Sequence, residues 1–211
     1  MRARFFYARL PGRARRRVRS RERATPLEPV LRGLPEAGRL LHVGSDLGLL
    51  ANEAALRAPA REVVGVQVEE EAALWAERTV GERRQLRFAP APVAALEERD
   101  FDVVAVVDAL RFVPVDDWGG FVDACFERVR PGGRFLLVEP GVSPAWKRHA
   151  FRIREGLARW AGTGSPREPL FVDVETVRGL LHNAGAWDLC VTILGQGLTR
   201  PHVLYEGIRP A

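Results

Sequence analysis

Residues 42–48 read His-Val-Gly-Ser-Asp-Leu-Gly and stand between an apolar run and a helical one. In that place a loop with Gly44 and Gly48 lets backbone amides approach a ligand that a side chain would hold off. The plainer alternative is that the two glycines only shape a strand-to-helix turn. Three polar residues accompany them: His42 just before, then Ser45 and Asp46 inside the loop. Elsewhere, Asp108, His149 and His202 are the candidate bases, each able to take a proton from an acceptor. Each also has a quiet role available, Asp108 as a cap, His149 as a surface residue and His202 as a satisfied strand histidine. Neither His-x-x-x-His nor Cys-x-x-Cys spacing occurs, so a zinc site has no support. A Gly-x-Ser-x-Gly nucleophile elbow and a phosphate-binding Walker loop are also missing.

The elements that must hold these residues follow from hydrophobic period. "GRLLHV" predicts a strand, "LLANEAALRA" a helix, "EVVGVQV" a second strand, and "EEEAALWAERTV" a helix with acids in its first turn. "QLRF" is a short third strand, and the β-branched run "FDVVAVV" suits a fourth buried on both faces. "WGGFVDACFERV" is the next helix, "RPGG" a turn, and "RFLLVEP" the fifth strand. "SPAWKRHAFRIREGLARW" reads as a lid-like insertion around 143–170. A helix follows at "DVETVRGLLHNAGA", with Asp173 as N-cap and Gly185 near its end. "WDLCVTIL" and "PHVLYEGI" close the chain as a strand pair. This alternation predicts an α/β fold: a twisted, mainly parallel sheet, helices on both faces and an antiparallel edge strand.

In such sheets a ligand lies beyond the carboxyl ends of the strands, so the 42–48 loop is the place for one. A dinucleotide is disfavoured there, because Asp46 would set a negative charge against its pyrophosphate. The ribose-binding acid expected after the second strand is Gln67 instead. S-adenosylmethionine has no phosphate and carries two cationic centres, so an aspartate in its loop is tolerable or attractive.

With "LLHVGSDLG", "VVGVQVEEEAALWA", "FDVVAVVDALRFVP" and "RVRPGGRFLLVEP" in order, residues 38–140 resemble the class I S-adenosylmethionine-dependent methyltransferases. "FVDVETVRGLLHNAGAWDLCVTI" is similar to the closing helix and sixth strand of that family. The whole layout resembles small methyltransferases of bacterial aryl-polyene and polyketide-like gene clusters. The resemblance implies a Rossmann-like, seven-stranded sheet, S-adenosylmethionine as cofactor, and methyl transfer to a small organic or carrier-bound acceptor. It places cofactor contacts at His42, Gly44, Ser45, Asp46, Gly48, Gln67, Val68, Pro92, Val93 and Asp108. Departures from the family pattern are His42 where an acid is usual, Asp46 for a glycine, Gln67 for the ribose acid and Pro92 for the adenine-contacting acid. Asp46 is therefore a candidate to replace His42 in holding the methionine ammonium. These departures leave open a degenerate, methyltransferase-like binding or scaffold protein.

The charge is uneven. Met1 to Arg23 holds ten arginines against one acid, leaving the rest of the chain at about −4 within a net charge of +5. Residues 1–37 thus read as a basic arm or helix, and 38–211 as the methyltransferase-like domain. The arm suits an anionic partner: an acidic carrier protein, an anionic membrane surface, or nucleic acid, which would make the protein a nucleic-acid modifier or binder. Alternatively its apolar side packs on the body. The chain holds only two cysteines and no apolar run long enough to span a membrane, which fits a cytoplasmic setting.

Overall fold

The computed structural model describes residues 3–44, 46–67, 69–141, 173–195 and 201–211. The sheet begins with β1 (Gly38–Val43), β2 (Arg61–Val66), β3 (Leu86–Ala89) and β4 (Phe101–Val107). It is completed by β5 (Val129–Pro140), β6 (Trp187–Leu194) and β7 (His202–Ile208). Its order is β3-β2-β1-β4-β5-β7-β6, with β1 to β5 parallel and β7 antiparallel to both neighbours. This is the predicted seven-stranded Rossmann-like sheet, with one change. The antiparallel strand β7 lies inside the sheet and β6 takes the edge. "RPGG" is a second difference. It lies within β5 as an irregularity in pairing between Phe101/Val129 and Val103/Arg134, because Gly132 takes a positive φ of 70° and its amide bonds Arg209 O.

Two apolar layers sandwich the sheet, as the alternation of side chains along a strand requires. On one face Leu40, Val63, Val103, Ala105 and Val107 pack with α3 (Leu49–Arg57) and α4 (Glu70–Glu77). The other face joins Leu41, Val64, Val104, Val106 and Leu137 to α5 (Trp118–Phe126) and α6 (Val174–Asn183). Asp173 caps α6, accepting from the Glu175 and Thr176 amides. The expected lid around 143–170 lies outside the described residues.

The basic arm is part of the first layer. A 3-10 turn at Ala3–Tyr7 leads into α1 (Gly12–Ala24), followed by α2 (Leu27–Gly33). Ala3, Tyr7, Leu10, Ala14 and Val18 recur at intervals of three and four, and all five are buried in the core. Tyr7 ties this segment to the glycine loop, donating to Leu47 O at 2.9 Å while accepting from Asn52 Nδ2 at 2.9 Å. Of the readings open for the arm, packing on the body is the one observed. No helix among the described residues is long and apolar enough to cross a membrane.

Candidate functional site

The strand order reverses between β1 and β4, since the chain winds outward from β1 through β2 and β3, then resumes on the other side at β4. Loops leaving these two strands therefore splay apart and open a crevice at their carboxyl ends. Gly44 follows β1 with φ 75°, where a Cβ would lie 2.5 Å from the Ala109 Cβ. Gly48 opens α3 with φ 74°, where a Cβ would meet the Phe88 ring at 2.3 Å. Both glycines serve the close packing of the loop on its own neighbours.

Two aspartates face each other across the crevice. Asp46 and Asp108 both adopt left-handed backbone, with φ 48° and 54°, a conformation Asp tolerates better than most residues. Between them lies Arg21 of α1. Its Nε is 3.1 Å from Asp46 Oδ2, and its Nη1 is 2.6 Å from Asp108 Oδ2. Arg17, one turn earlier on α1, places Nη2 2.6 Å from Asp46 Oδ1 and 2.7 Å from Glu69 Oε2. Asp108 also accepts from Thr25 Oγ1 at 2.6 Å and faces His202 Nε2 at 3.2 Å. With the Arg21 side chain 20% exposed and that of Asp108 1% exposed, the pair is shielded enough that removing one partner costs roughly 3–5 kcal/mol.

Beneath Arg21 is a cavity of about 30 Å³ lined by Val18, Thr25, Leu27, His42, Asp46 and Asp108, among others. That is room for about one water, against the roughly 300–1,000 Å³ usual for small-molecule sites. Neither ring nitrogen of the buried His42 has a hydrogen-bond partner among the described residues. Burial, then the Arg21 charge, brings the His42 pKa down to about 3 despite the nearby Asp46. The imidazole is thus neutral, with one nitrogen able to donate and one to accept.

The same charges sort the acids. Burial pushes the Asp108 carboxyl up, but Arg21, Arg111 and His202 together overcome it and hold it well below the usual carboxylate range. Asp108 is therefore a fixed anion, poorly suited to the role of base assigned from sequence. Glu139, at the end of β5, goes the other way. Burial and the neighbouring Asp108 charge raise it to about 8, against Arg111 and the Leu110 and Ala109 amides. Glu139 Oε1 accepts from the Leu110 amide at 2.7 Å, while Oε2 has no hydrogen-bond partner among the described residues.

Of the residues expected from sequence, His42, Gly44, Asp46 and Asp108 gather around the cavity, and buried His202 joins through Asp108. Gly48, Gln67, Pro92 and Val93 are not among the cavity's lining residues. The Gln67 amide bonds Ala89 O at 3.1 Å, Pro92 is exposed ahead of a 3-10 turn, and Val93 is buried in the second apolar layer. Ser45, Val68 and His149 lie outside the described residues. Sequence reading missed Arg21, Thr25 and Glu139. For Arg21 a signal existed: it follows Ala14 and Val18 by seven and three residues, on the buried side of α1.

A raised acid leaves a mark on stability. Glu139 keeps its proton in the folded state up to about 8 against an ordinary value of 4.5, so its contribution is complete below about 4.5 and lost as pH rises through about 8. His42 acts in a lower window, between about 3 and 6.5, and in the opposite sense: stability rises with pH there. Glu139→Gln keeps an acceptor for the Leu110 amide and removes the proton. The wild-type Tm should fall relative to Glu139→Gln as pH rises from about 6.5 to about 8. Parallel curves would contradict the raised acid.

Comparison with known proteins bears on the fold. Residues 40–133 match a family model described as a methyltransferase domain. No curated protein sequence matches. Among solved structures, the methyltransferase in complex with the Trm112 activator of Haloferax volcanii is 16% identical, with a TM-score of 0.71 covering 94% of each chain. Magnesium protoporphyrin IX methyltransferase ChlM from Synechocystis, with bound S-adenosylhomocysteine, is 15% identical, with a TM-score of 0.69 over 98% of this chain and 92% of that one. The S-adenosylmethionine-dependent methyltransferase SibL is 21% identical, with a TM-score of 0.64 over 87% of this chain, which spans about half, 54%, of SibL. Residues 40–133 are thus similar to a methyltransferase domain, and the chain shares the Rossmann-like fold of these solved S-adenosylmethionine-dependent methyltransferases.

Proposed function

We propose that the protein transfers a methyl group from S-adenosylmethionine to a small organic or carrier-bound acceptor. One observation carries the reading: two carboxylates at the ends of β1 and β4 hold an organic cation, Arg21, at the switch point of a methyltransferase fold. The residues fit the cofactor's charge. Asp46 and Asp108 suit its cationic centres, and the two unpartnered nitrogens of His42 suit the carboxylate and ammonium of its methionine part. When bound, S-adenosylmethionine supplies an electrophilic methyl group on a sulfonium.

What the chain itself contributes is mostly position. Holding an acceptor in line at near-attack distance supplies much of the rate in a displacement of this kind. Where the acceptor must lose a proton, Glu139 has the proton affinity for that role near neutrality, as Asp108 has not. A second reading, a methyltransferase-like binding protein without transfer, is favoured by the small volume of the cavity. Titration with S-adenosylmethionine and S-adenosylhomocysteine separates the two. Heat release saturating below about millimolar ligand is expected, and its absence would support the binding protein.

The partner we infer for the arm is an acidic carrier protein delivering the acceptor. Arg4, Arg13, Arg17 and Arg21 are engaged by acids of the chain itself, whereas Arg15, Arg16, Arg19 and Arg23 are exposed along α1. That outward row supplies a positive surface for steering an acidic partner. Deletion of the arm would strip Tyr7, Leu10 and Val18 from the core, so substitution is the cleaner test. On a heparin column, Arg16→Gln/Arg19→Gln should elute at lower salt than the equally charged Arg78→Gln/Arg84→Gln. Equal elution would count against a concentrated anion-binding face.

A further inference from the structure

We propose that Arg21 occupies the cation position of the cofactor cradle as an internal competitor, so that the cofactor enters only when α1 withdraws. This rests on the S-adenosylmethionine reading above. The geometry is that of a filled site. Arg21 spans Asp46 and Asp108 at 3.1 and 2.6 Å, and Arg17 holds the second oxygen of Asp46 at 2.6 Å. Val18, Arg21, Thr25 and Leu27 supply one wall of the cavity, and His42, Gly44 and Asp46 the other. Only about 30 Å³ remains between them. The unpartnered nitrogens of His42 and the two aspartates therefore lie on the side of the cavity that α1 and the segment after it cover.

The helix has the features of a removable cover. Only Ala14, Val18 and Ala24 of its thirteen residues are buried, so little apolar contact holds it. It has no side-chain cap, and its first turn carries no acid to answer the helix dipole. Its outer ion pairs, Arg13 with Glu71 and Arg17 with Glu69, involve glutamates about half exposed, where such pairs contribute little. Pro11 precedes it and Gly12 opens it, while Thr25 and Pro26 follow. On either side the chain is better fixed, by Tyr7 and Leu10 before and by Leu27, Val30 and Leu31 after. Movement is thereby confined to the helix between two anchored ends. The closed fraction lowers the apparent affinity of any ligand that needs the open one.

Asp46→Asn would weaken the hold on both cations and so distinguish nothing. Arg21→Met removes the competitor and leaves both carboxylates. Calorimetric titration of the full chain with S-adenosylhomocysteine, which keeps the ammonium, should show Arg21→Met binding about tenfold tighter than wild type. Arg21→Lys, which keeps the charge, should stay near wild type. Val18→Ala loosens the same helix without touching a charge, and should tighten binding by about threefold even if Arg21→Met proves too unstable to titrate. Wild type binding with Arg21→Met and Val18→Ala no tighter would overturn the internal competitor and leave the cofactor reading standing. Absence of binding at millimolar ligand in wild type and in all three variants would overturn both.

Discussion

The bridge from Arg21 to Asp46 and Asp108 ties together parts of the molecule that the sheet alone leaves separate. It joins the loop after β1 to the loop after β4 and pins α1 across both. The two aspartates sit in left-handed backbone, a local cost that surrounding structure must offset. A shared guanidinium is one such offset, since it binds both carboxylates in a fixed fork. Thr25 and His202 complete the coordination of Asp108, so the end of β7 and the turn after α1 are drawn to the same point.

From that bridge the proton affinities of the site follow in sequence. Arg21 adds to burial in keeping His42 neutral, and with Arg111 and His202 it holds Asp108 an anion against the upward push of burial. The Asp108 charge then joins burial in raising Glu139 to about 8. Two carboxyl groups at neighbouring strand ends thus acquire opposite characters, one a fixed charge and the other a proton holder. Such a division is what acid–base chemistry at neutral pH requires.

Much of this was legible in the sequence because the signals were local. "GRLLHV" and "FDVVAVV" form strands over the predicted residues, Asp173 caps its helix, and the mainly parallel sheet follows from strand and helix alternation. His42 near the end of β1, Asp46 beyond it and Asp108 after β4 were candidates from their places in the sequence, and the structure brings all three to one cavity. What was not legible depended on contacts distant in the chain. Arg21 lies 25 residues from Asp46 and 87 from Asp108, and its place on the buried side of α1, one of ten arginines between Met1 and Arg23, marks it as inward-facing without naming those partners. Glu139 reads as a strand-end acid until burial and Asp108 are seen around it. The position of β7 inside the sheet was missed for a related reason. Hairpin-like order along the chain does not say which strand of the pair takes the edge.

Amide hydrogen exchange of residues 12–24 measures directly whether α1, through Arg21, covers the proposed cofactor site. In the wild-type protein these amides should exchange slowly without ligand and faster when S-adenosylhomocysteine is added to saturation, as the helix gives up its place. Exchange that is unchanged, or slowed, at saturating ligand would contradict that cover, because ligand and helix would then share the site rather than exclude one another.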